Sequence, residues 1–557
     1  MKQIIFIFLC FFSNTLISQN IEGKWLFESI LHEKSIGTEN LKPIQQGDFM
    51  TLYDNGDFEY QLTEIPVLAK GKWEINKNEL FLHYITPKDT TRIYVIKIED
   101  DKLTLNENGI NFKFSRENKK FITKSSFSIV NLIRGFVGVL LLIIIAFIFS
   151  KDRKRIDWNL VAKGIFIQMV FAVLILKVSI IQKVFEWFSS IFITILNFTR
   201  EGSLFLFGDL IENTTSFGYI FAFQVLPTIV FFSALTSLFF YYGILQKIVY
   251  VFALFMKKTL KLSGAESLAA AGNIFLGQTE SPLLIKPYIE KMTMSELLCL
   301  MSGGMATIAG GVLAAYIGFL GGEDTEMQLF FAKHLLAASV MSAPAAIVAS
   351  KILLPEKEKI NQDMSIAKNE IGENALEAIS IGTTQGLKLA VNVGAMLLVF
   401  IALITMVNYI LKDFIGNSTG INNLIFNFTK TQYDGLTLEF ILGYIFAPIT
   451  WIMGVCKEDI ILVGQLLGEK TILNEFVAYV SLANLKESGV FFEERSIIIA
   501  TYILCGFANF ASIGIQIGGI GVLAPKRRGD LSKLGILALI AGTFACLFTA
   551  TIVGMFI

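Results

Sequence analysis

Two glutamates stand in stretches of this chain that are otherwise built for an apolar environment. Glu280 lies in Asn273-Ile274-Phe275-Leu276-Gly277-Gln278-Thr279-Glu280-Ser281-Pro282, and Glu475 lies in Asn474-Glu475-Phe476-Val477-Ala478-Tyr479. A carboxylate at the centre of a helix in lipid costs roughly 2.5–3.5 kcal/mol on insertion scales, so neither is expected as filler. Each stretch is followed by a helix interrupted by glycine and polar residues, Ala306-Thr307-Ile308-Ala309-Gly310-Gly311-Val312 in one case and Phe507-Ala508-Asn509-Phe510-Ala511-Ser512-Ile513-Gly514 in the other. Asn509 and Ser512, three apart on a helix, share one face and offer donors and acceptors together. The chemistry this favours is recognition of a polar solute. The blander alternatives are that each glutamate caps a helix N-terminus, that one pairs with Lys286 or Lys470, and that Asn509 and Ser512 glue helices together.

These residues need a scaffold, and the hydropathy supplies one. Apolar runs at about Phe127–Ser150, Asn159–Ile181, Gly218–Tyr242, Glu296–Phe319, Gln328–Ser350, Gly386–Leu411, Ile497–Gly518 and Leu534–Phe556 predict eight membrane spans. The loops after spans one, three, five and seven carry Lys151 to Arg155, Lys257, Lys258 and Lys261, Lys351, Lys357 and Lys359, and Lys526-Arg527-Arg528, which makes them cytoplasmic by the positive-inside rule. Four stretches fall outside this count. Val184–Leu206 and Ile248–Leu262 are amphipathic and fit interfacial helices. Gly264–Lys291 and Asp459–Gly489 contain glycines and polar residues and fit re-entrant hairpins, since irregular backbone at membrane depth is tolerated only inside protein or along a cavity. Hairpin followed by broken helix thus occurs twice, entering from opposite sides, which is the inverted-repeat layout of secondary transporters.

Ahead of the spans the texture differs. From Ile21 to about Lys120 short alternating runs are split by Asp54-Asn55-Gly56-Asp57, Asn76-Lys77-Asn78 and Asn106-Glu107-Asn108-Gly109, the pattern of a small antiparallel β-domain. Gly23-Lys24-Trp25 recurs as Gly71-Lys72-Trp73, and a Gly-x-Trp strand opening a meander resembles lipocalin-like domains, in which each tryptophan fills the bottom of an up-and-down barrel. Residues 1–18, with Lys2 and an apolar run from Ile4 to Phe12, predict a signal peptide that leaves the β-domain, residues 19–122, in the periplasm. Residues 125–557 are the membrane domain, and an even span count returns the C-terminus to the same side.

Composition narrows the function classes. With 54% hydrophobic residues and a mean hydropathy of +0.60, the chain is not an ordinary soluble enzyme. Lys+Arg and Asp+Glu both total 47, so no charge excess points to nucleic acid. Cys10, Cys299, Cys456, Cys505 and Cys546 show no metal-binding spacing and are expected to be packing residues.

Several separate motifs in order, Gly277-Gln278-Thr279-Glu280-Ser281-Pro282-Leu283, Asn474-Glu475-Phe476-Val477-Ala478-Tyr479, Cys505-Gly506-Phe507-Ala508-Asn509-Phe510 and Leu523-Ala524-Pro525-Lys526-Arg527-Arg528-Gly529, resemble the concentrative nucleoside transporter family from roughly Phe136 onward. The resemblance implies a homotrimer of eight-span subunits in the bacterial inner membrane, importing nucleosides such as uridine down a sodium or proton gradient. It further implies that Gln278, Thr279 and Glu280 face the nucleobase with Val312 nearby. Glu475, Asn509 and Ser512 would face the ribose, and Phe507 would line its apolar side. A carboxylate suits two neighbouring hydroxyls, and an amide pair suits the edge of a base. The family's sodium site falls on Asn273, Leu276, Thr307 and Ile308, where side-chain and carbonyl oxygens replace water around a hard cation. Cys456-Lys457-Glu458-Asp459 departs from the Pro-Trp of many relatives and bears on hairpin entry.

Sodium-coupled import, with no cofactor beyond the coupling ion, is therefore the expected function, and proton coupling is the alternative. An intramembrane enzyme using both glutamates is disfavoured, because no nucleophile or metal site accompanies them and His32, His83 and His334 lie in neither hairpin. A nucleoside-sensing receptor is disfavoured by the intact hairpin set.

Overall fold

The computed structural model of the chain describes residues 23–32, 48–53, 56–62, 67–76, 79–86, 88–99, 102–107, 109–116, 128–212, 220–322, 324–364, 372–429 and 432–557. The expected signal peptide and parts of the three expected β-domain turns lie outside them. Backbone contacts divide the chain at Lys119 and Lys120 into two units.

The first unit is a closed antiparallel barrel of eight strands in sequence order. They are β1 (Gly23–His32), β2 (Phe49–Leu52), β3 (Asp57–Leu62), β4 (Val67–Asn76), β5 (Glu79–Thr86), β6 (Thr90–Glu99), β7 (Lys102–Glu107) and β8 (Ile110–Arg116). Closure comes from β1 pairing with β8, which leaves no free edge. The period-two alternation puts Met50, Leu52, Phe58, Leu80, Leu82, Leu103, Leu105 and Phe114 inside with Trp25, which is wholly buried. Trp73 differs from the expectation: it packs against this core only partly buried, and its indole N–H donates to the Tyr53 carbonyl at 2.9 Å. Gly71 sits at the Lys70/Gly71 register shift, where a Cβ would fall 1.9 Å from the His83 carbonyl oxygen, so no other residue fits there.

The second unit is helical. It comprises α1 (Ile129–Ile148), α2 (Trp158–Lys177), α3 (Ser179–Phe207), α4 (Leu226–Tyr241), α5 (Ile244–Leu260), α6 (Gly264–Asn273), α7 (Met294–Ala306), α8 (Gly310–Gly321), α9 (Thr325–Leu353), α10 (Ala375–Asn408), α11 (Leu438–Ile452), α12 (Ile460–Ile472), α13 (Glu475–Glu487), α14 (Glu494–Leu504), α15 (Phe510–Leu523) and α16 (Arg528–Gly554). Eight stretches among the described residues are long and apolar enough to cross a membrane, but they are not the predicted eight. The expected interfacial helix Val184–Leu206 lies within one continuous, largely exposed helix of 29 residues, Ser179–Phe207, which by length and composition alone is one of the eight. The predicted span Ile497–Gly518 is instead two helices, α14 and α15, because Asn509 caps a new helix there by accepting from the Ser512 backbone N–H. α11 had no counterpart in the sequence reading.

The repeat is visible element by element. α6, a tip and two short turns, Ser281–Leu284 and Lys286–Ile289, are followed by α7, a break at residues 307–309, α8 and α9. α12, a tip and α13 are followed by α14, a break at residues 505–509, α15 and α16. The two hairpins have their bases at opposite ends. At one end the predicted cytoplasmic loops gather: Lys357 pairs with Asp152 at 2.9 Å, Lys257 donates to the Gln362 carbonyl at 2.6 Å, and Arg527 donates to the carbonyls of Glu290 and Met292 at the base of the first hairpin. At the other end Arg134, in the second turn of α1, donates to Trp451 and Val455 carbonyls, and Arg495 spans from Gly454 to Gly554. Asp459 closes the second hairpin's base there by accepting from the backbone N–H groups of Phe492 and Glu493.

Replacing Trp25 by alanine in residues 19–122 expressed alone is expected to lower barrel stability by about 3–5 kcal/mol, the range for truncating a buried tryptophan. Chemical denaturation would read the change. Ile85→Ala, at a position 66% exposed, should stay within roughly 0.5 kcal/mol of the parent.

Candidate functional site

The two helix breaks meet. Gly506, with φ +114°, lies so close to Ala306 that an added Cβ would sit 2.7 Å from that residue's carbonyl carbon and oxygen. The break between α14 and α15 is thus pressed backbone to backbone against the end of α7. Around this contact the hairpin tips converge, and a hydrogen-bonded line joins them. The Gln278 amide, on the first tip, donates to Ser512 Oγ at 3.2 Å. The Ser512 backbone N–H donates to Asn509 Oδ1 at 2.9 Å, and Asn509 Nδ2 donates to Glu475 Oε2, on the second hairpin, at 2.5 Å. Gln278, Ser512, Asn509 and Glu475 are all buried.

The remaining expected site residues are placed as follows. Glu280 turns its carboxylate back to accept from the Gly277 backbone N–H, so in this structure it ties its own tip. Thr279 packs on α15, where a Cβ on Gly519 would meet its methyl group at 2.7 Å. Val312 is buried in the first turn of α8, and Phe507 is buried within the second break. No ion pair joins Glu280 to Lys286 or Glu475 to Lys470 among the described residues: Lys470 Nζ donates to the Ile503 carbonyl at 2.7 Å and approaches Cys546 Sγ at 3.2 Å.

Asn273, Leu276, Thr307 and Ile308 come together between the end of α6 and the break after α7, all buried. A Cβ on Gly303 would meet Asn273 Nδ2 at 2.6 Å, so the amide points its nitrogen at the side of α7. Neither Oδ1 nor Nδ2 of Asn273 has a protein partner, and an orphaned buried amide asks for a ligand. Thr307 Oγ1 donates to the Gly303 carbonyl at 2.9 Å, which leaves its lone pairs free to accept. This oxygen set suits a hard monovalent cation.

Two residues escaped the sequence reading. Gln516 is buried one turn beyond Ser512, donates to the Met301 carbonyl at 2.9 Å and keeps Oε1 unpartnered beside Gln278. Its signal was present, since 509, 512 and 516 fall on one helical face. Tyr316, on α8, stacks on Tyr479 at 4.0 Å between ring centroids and sets its unpartnered hydroxyl next to Glu475. An aromatic in an apolar helix carries no such signal.

Comparison with known proteins adds the following. Residues 137–210 match the description "Na+ dependent nucleoside transporter N-terminus", residues 222–323 match "Nucleoside recognition", and residues 334–554 match "Na+ dependent nucleoside transporter C-terminus". The chain is 42% identical over 440 residues to solute carrier family 28 member 3 of Eptatretus stoutii, across 76% of this chain but only 60% of that relative's length. It is 41% identical over 431 residues to an uncharacterized transporter of Bacillus subtilis (strain 168), across 77% of this chain and 100% of that one. Among solved structures it is similar to CNTnw in an inward-facing substrate-bound state, with 37% identity and a TM-score of 0.69 over 76% of this chain and 97% of that one. The barrel lies outside the three family matches.

Gly506→Ala is expected to destabilise the helical unit, since the side chain meets both a positive φ, itself costing about 1–3 kcal/mol, and the Ala306 backbone. Thermal unfolding in detergent should show a clear loss. Gly514→Ala, with nothing within 4 Å of its Cβ position, should show none.

Proposed function

The chain belongs to the Na+-dependent nucleoside transporter family, whose members are carriers and not enzymes, and from that premise we propose that it is a sodium-coupled symporter importing nucleosides, uridine among them. The observation that carries this reading is the line Gln278–Ser512–Asn509–Glu475, which puts a carboxylate, two amides and a hydroxyl on one path between two oppositely inserted hairpins. A solute held on that path is sealed from one side by the first tip and from the other by the second, so release to either side needs only one tip to move.

The donors and acceptors divide by type. Glu475 is the acceptor for the vicinal hydroxyls of a ribose, Asn509 holds it in place, and the Tyr316 hydroxyl beside it stays open to the solute. Gln278 and Gln516 keep carboxamide oxygens without protein partners, which suit the N–H edge of a base, with Thr279, Glu280 and Val312 shaping that end and Phe507 the apolar side of the sugar. Asn273 and Thr307 supply neutral oxygens for sodium, with carbonyl oxygens at Leu276 and Ile308 completing the set. Neither side chain titrates near neutral pH, which favours sodium over the proton as the coupling ion.

The basic loops gathered at one end support an orientation in which that end faces the cytoplasm of a bacterial inner membrane and the barrel and C-terminus are periplasmic. Assembly as a homotrimer follows the family resemblance. One sodium ion entering across 100 mV supplies about 2.3 kcal/mol, enough for roughly 50-fold accumulation before the chemical gradient is counted.

Glu475→Gln keeps the shape and loses the charge, so it should forfeit about 1.5–3 kcal/mol and lower uridine uptake roughly 10- to 150-fold at equal membrane abundance. Uptake equal to the parent's would sink the ribose assignment. Replacing sodium by choline at constant pH should abolish accumulation, and Thr307→Ala should raise the sodium concentration for half-maximal uptake. Undiminished uptake in choline that followed an imposed pH gradient would assign the proton instead.

A further inference from the structure

We propose that Glu469 is the centre of a second monovalent-cation site, lying in the second hairpin between α12 and its neighbours and filled by Na+ or H+ during transport. Glu469 is 3% exposed and sits on α12, six residues before Glu475. Its Oε1 accepts from Gln465 Nε2 at 2.8 Å, whereas Oε2 is buried with no hydrogen-bond partner. A buried carboxylate in that state is costly unless a positive charge joins it.

No positively charged side chain among the described residues pairs with it. Lys470 is next in the chain but reaches the other way, to the Ile503 carbonyl and Cys546. Lys412 is paired with Asp434 at 2.5 Å. Apart from the Gln465 amide N–H that Oε1 accepts, the groups around Glu469 are oxygens. Tyr433, buried, donates to Gln465 Oε1 at 3.0 Å, the Ser481 hydroxyl lies alongside from α13, and a second carboxylate, Glu439 of α11, adds its charge while accepting from Asn408 at 2.9 and 3.0 Å. The buried Glu469 carboxylate with its unpartnered oxygen, the half-buried Glu439 carboxylate and the Ser481 and Tyr433 hydroxyls form an oxygen-rich cluster with the chemistry of a monovalent-cation site. The cluster is separate from the Asn273–Thr307 set, being built on the second hairpin and on α11. A cation bound between Glu469 of α12 and Ser481 of α13 clamps the two arms of the hairpin that carries Glu475.

The proposal rests on reading the chain as a cation-coupled carrier, and the test separates the two. Full-length protein in proteoliposomes would be assayed for charge moved per uridine from the membrane potential at which net uridine flux vanishes under fixed gradients. The wild type should move two positive charges per uridine and Glu469→Gln one. Tracer sodium tells the sources apart: two sodium ions per uridine identify Na+ at Glu469, whereas one sodium ion with acidification of the lumen identifies H+. One charge per uridine in the wild type, or two in both proteins, overturns the site. Should Glu469→Gln not assemble, the wild-type ratio decides alone. No potential-dependent uridine flux at all would overturn the carrier reading and the site with it.

Discussion

Backbone leaves the helix at residues 307–309 and 505–509, inside an apolar bundle where freed N–H and C=O groups find little water. Both breaks must be supplied with partners by the protein, and most of the site follows from how that is done. Asn509 serves the second break twice over, as the cap of α15 and as the donor to Glu475. Thr307 ends α7 and returns its hydroxyl to the Gly303 carbonyl. Gly506 lets the breaks press against each other, which brings the two hairpin tips within reach of one ligand.

The repeats share a scaffold and differ in what they place beside the break. In the first, Asn273 brings a neutral amide with both polar atoms unpartnered to the side of α7. In the second, Lys470 brings its own ammonium to the Ile503 carbonyl, just before the break after α14. Beside the first break the chain thus leaves a buried amide without a protein partner among the described residues, and beside the corresponding break of the second repeat it places a lysine.

The barrel solves a different problem by different means. Its eight strands close through the β1–β8 pairing, and its core rests on Trp25 and a layer of leucines and phenylalanines. The family matches begin beyond it, and the Bacillus subtilis relative, matched over 100% of its own length and 77% of this chain, has a body of this kind without it.

The sequence by itself determined the parts whose signal is local. Alternation in residues 21–120 specified strands, apolar length specified most helices, and the polar residues of Glu280, Glu475, Asn509 and Ser512 marked the repeats, because a charged or amide side chain is costly in lipid wherever the fold puts it. Three things needed the tertiary structure. Helix α11 was missed, because 15 residues fall short of the length by which hydropathy marks a span. Tyr316 and Gln516 join the site through neighbours remote in sequence, Tyr479 and Met301. Whether a buried polar atom is satisfied was invisible until partners were placed: Glu280 proved to tie its own loop, while Asn273 and Glu469 kept atoms with nothing to bond. Residue type fixes how many hydrogen bonds a group requires, but only the packed chain decides which of them remain unmade.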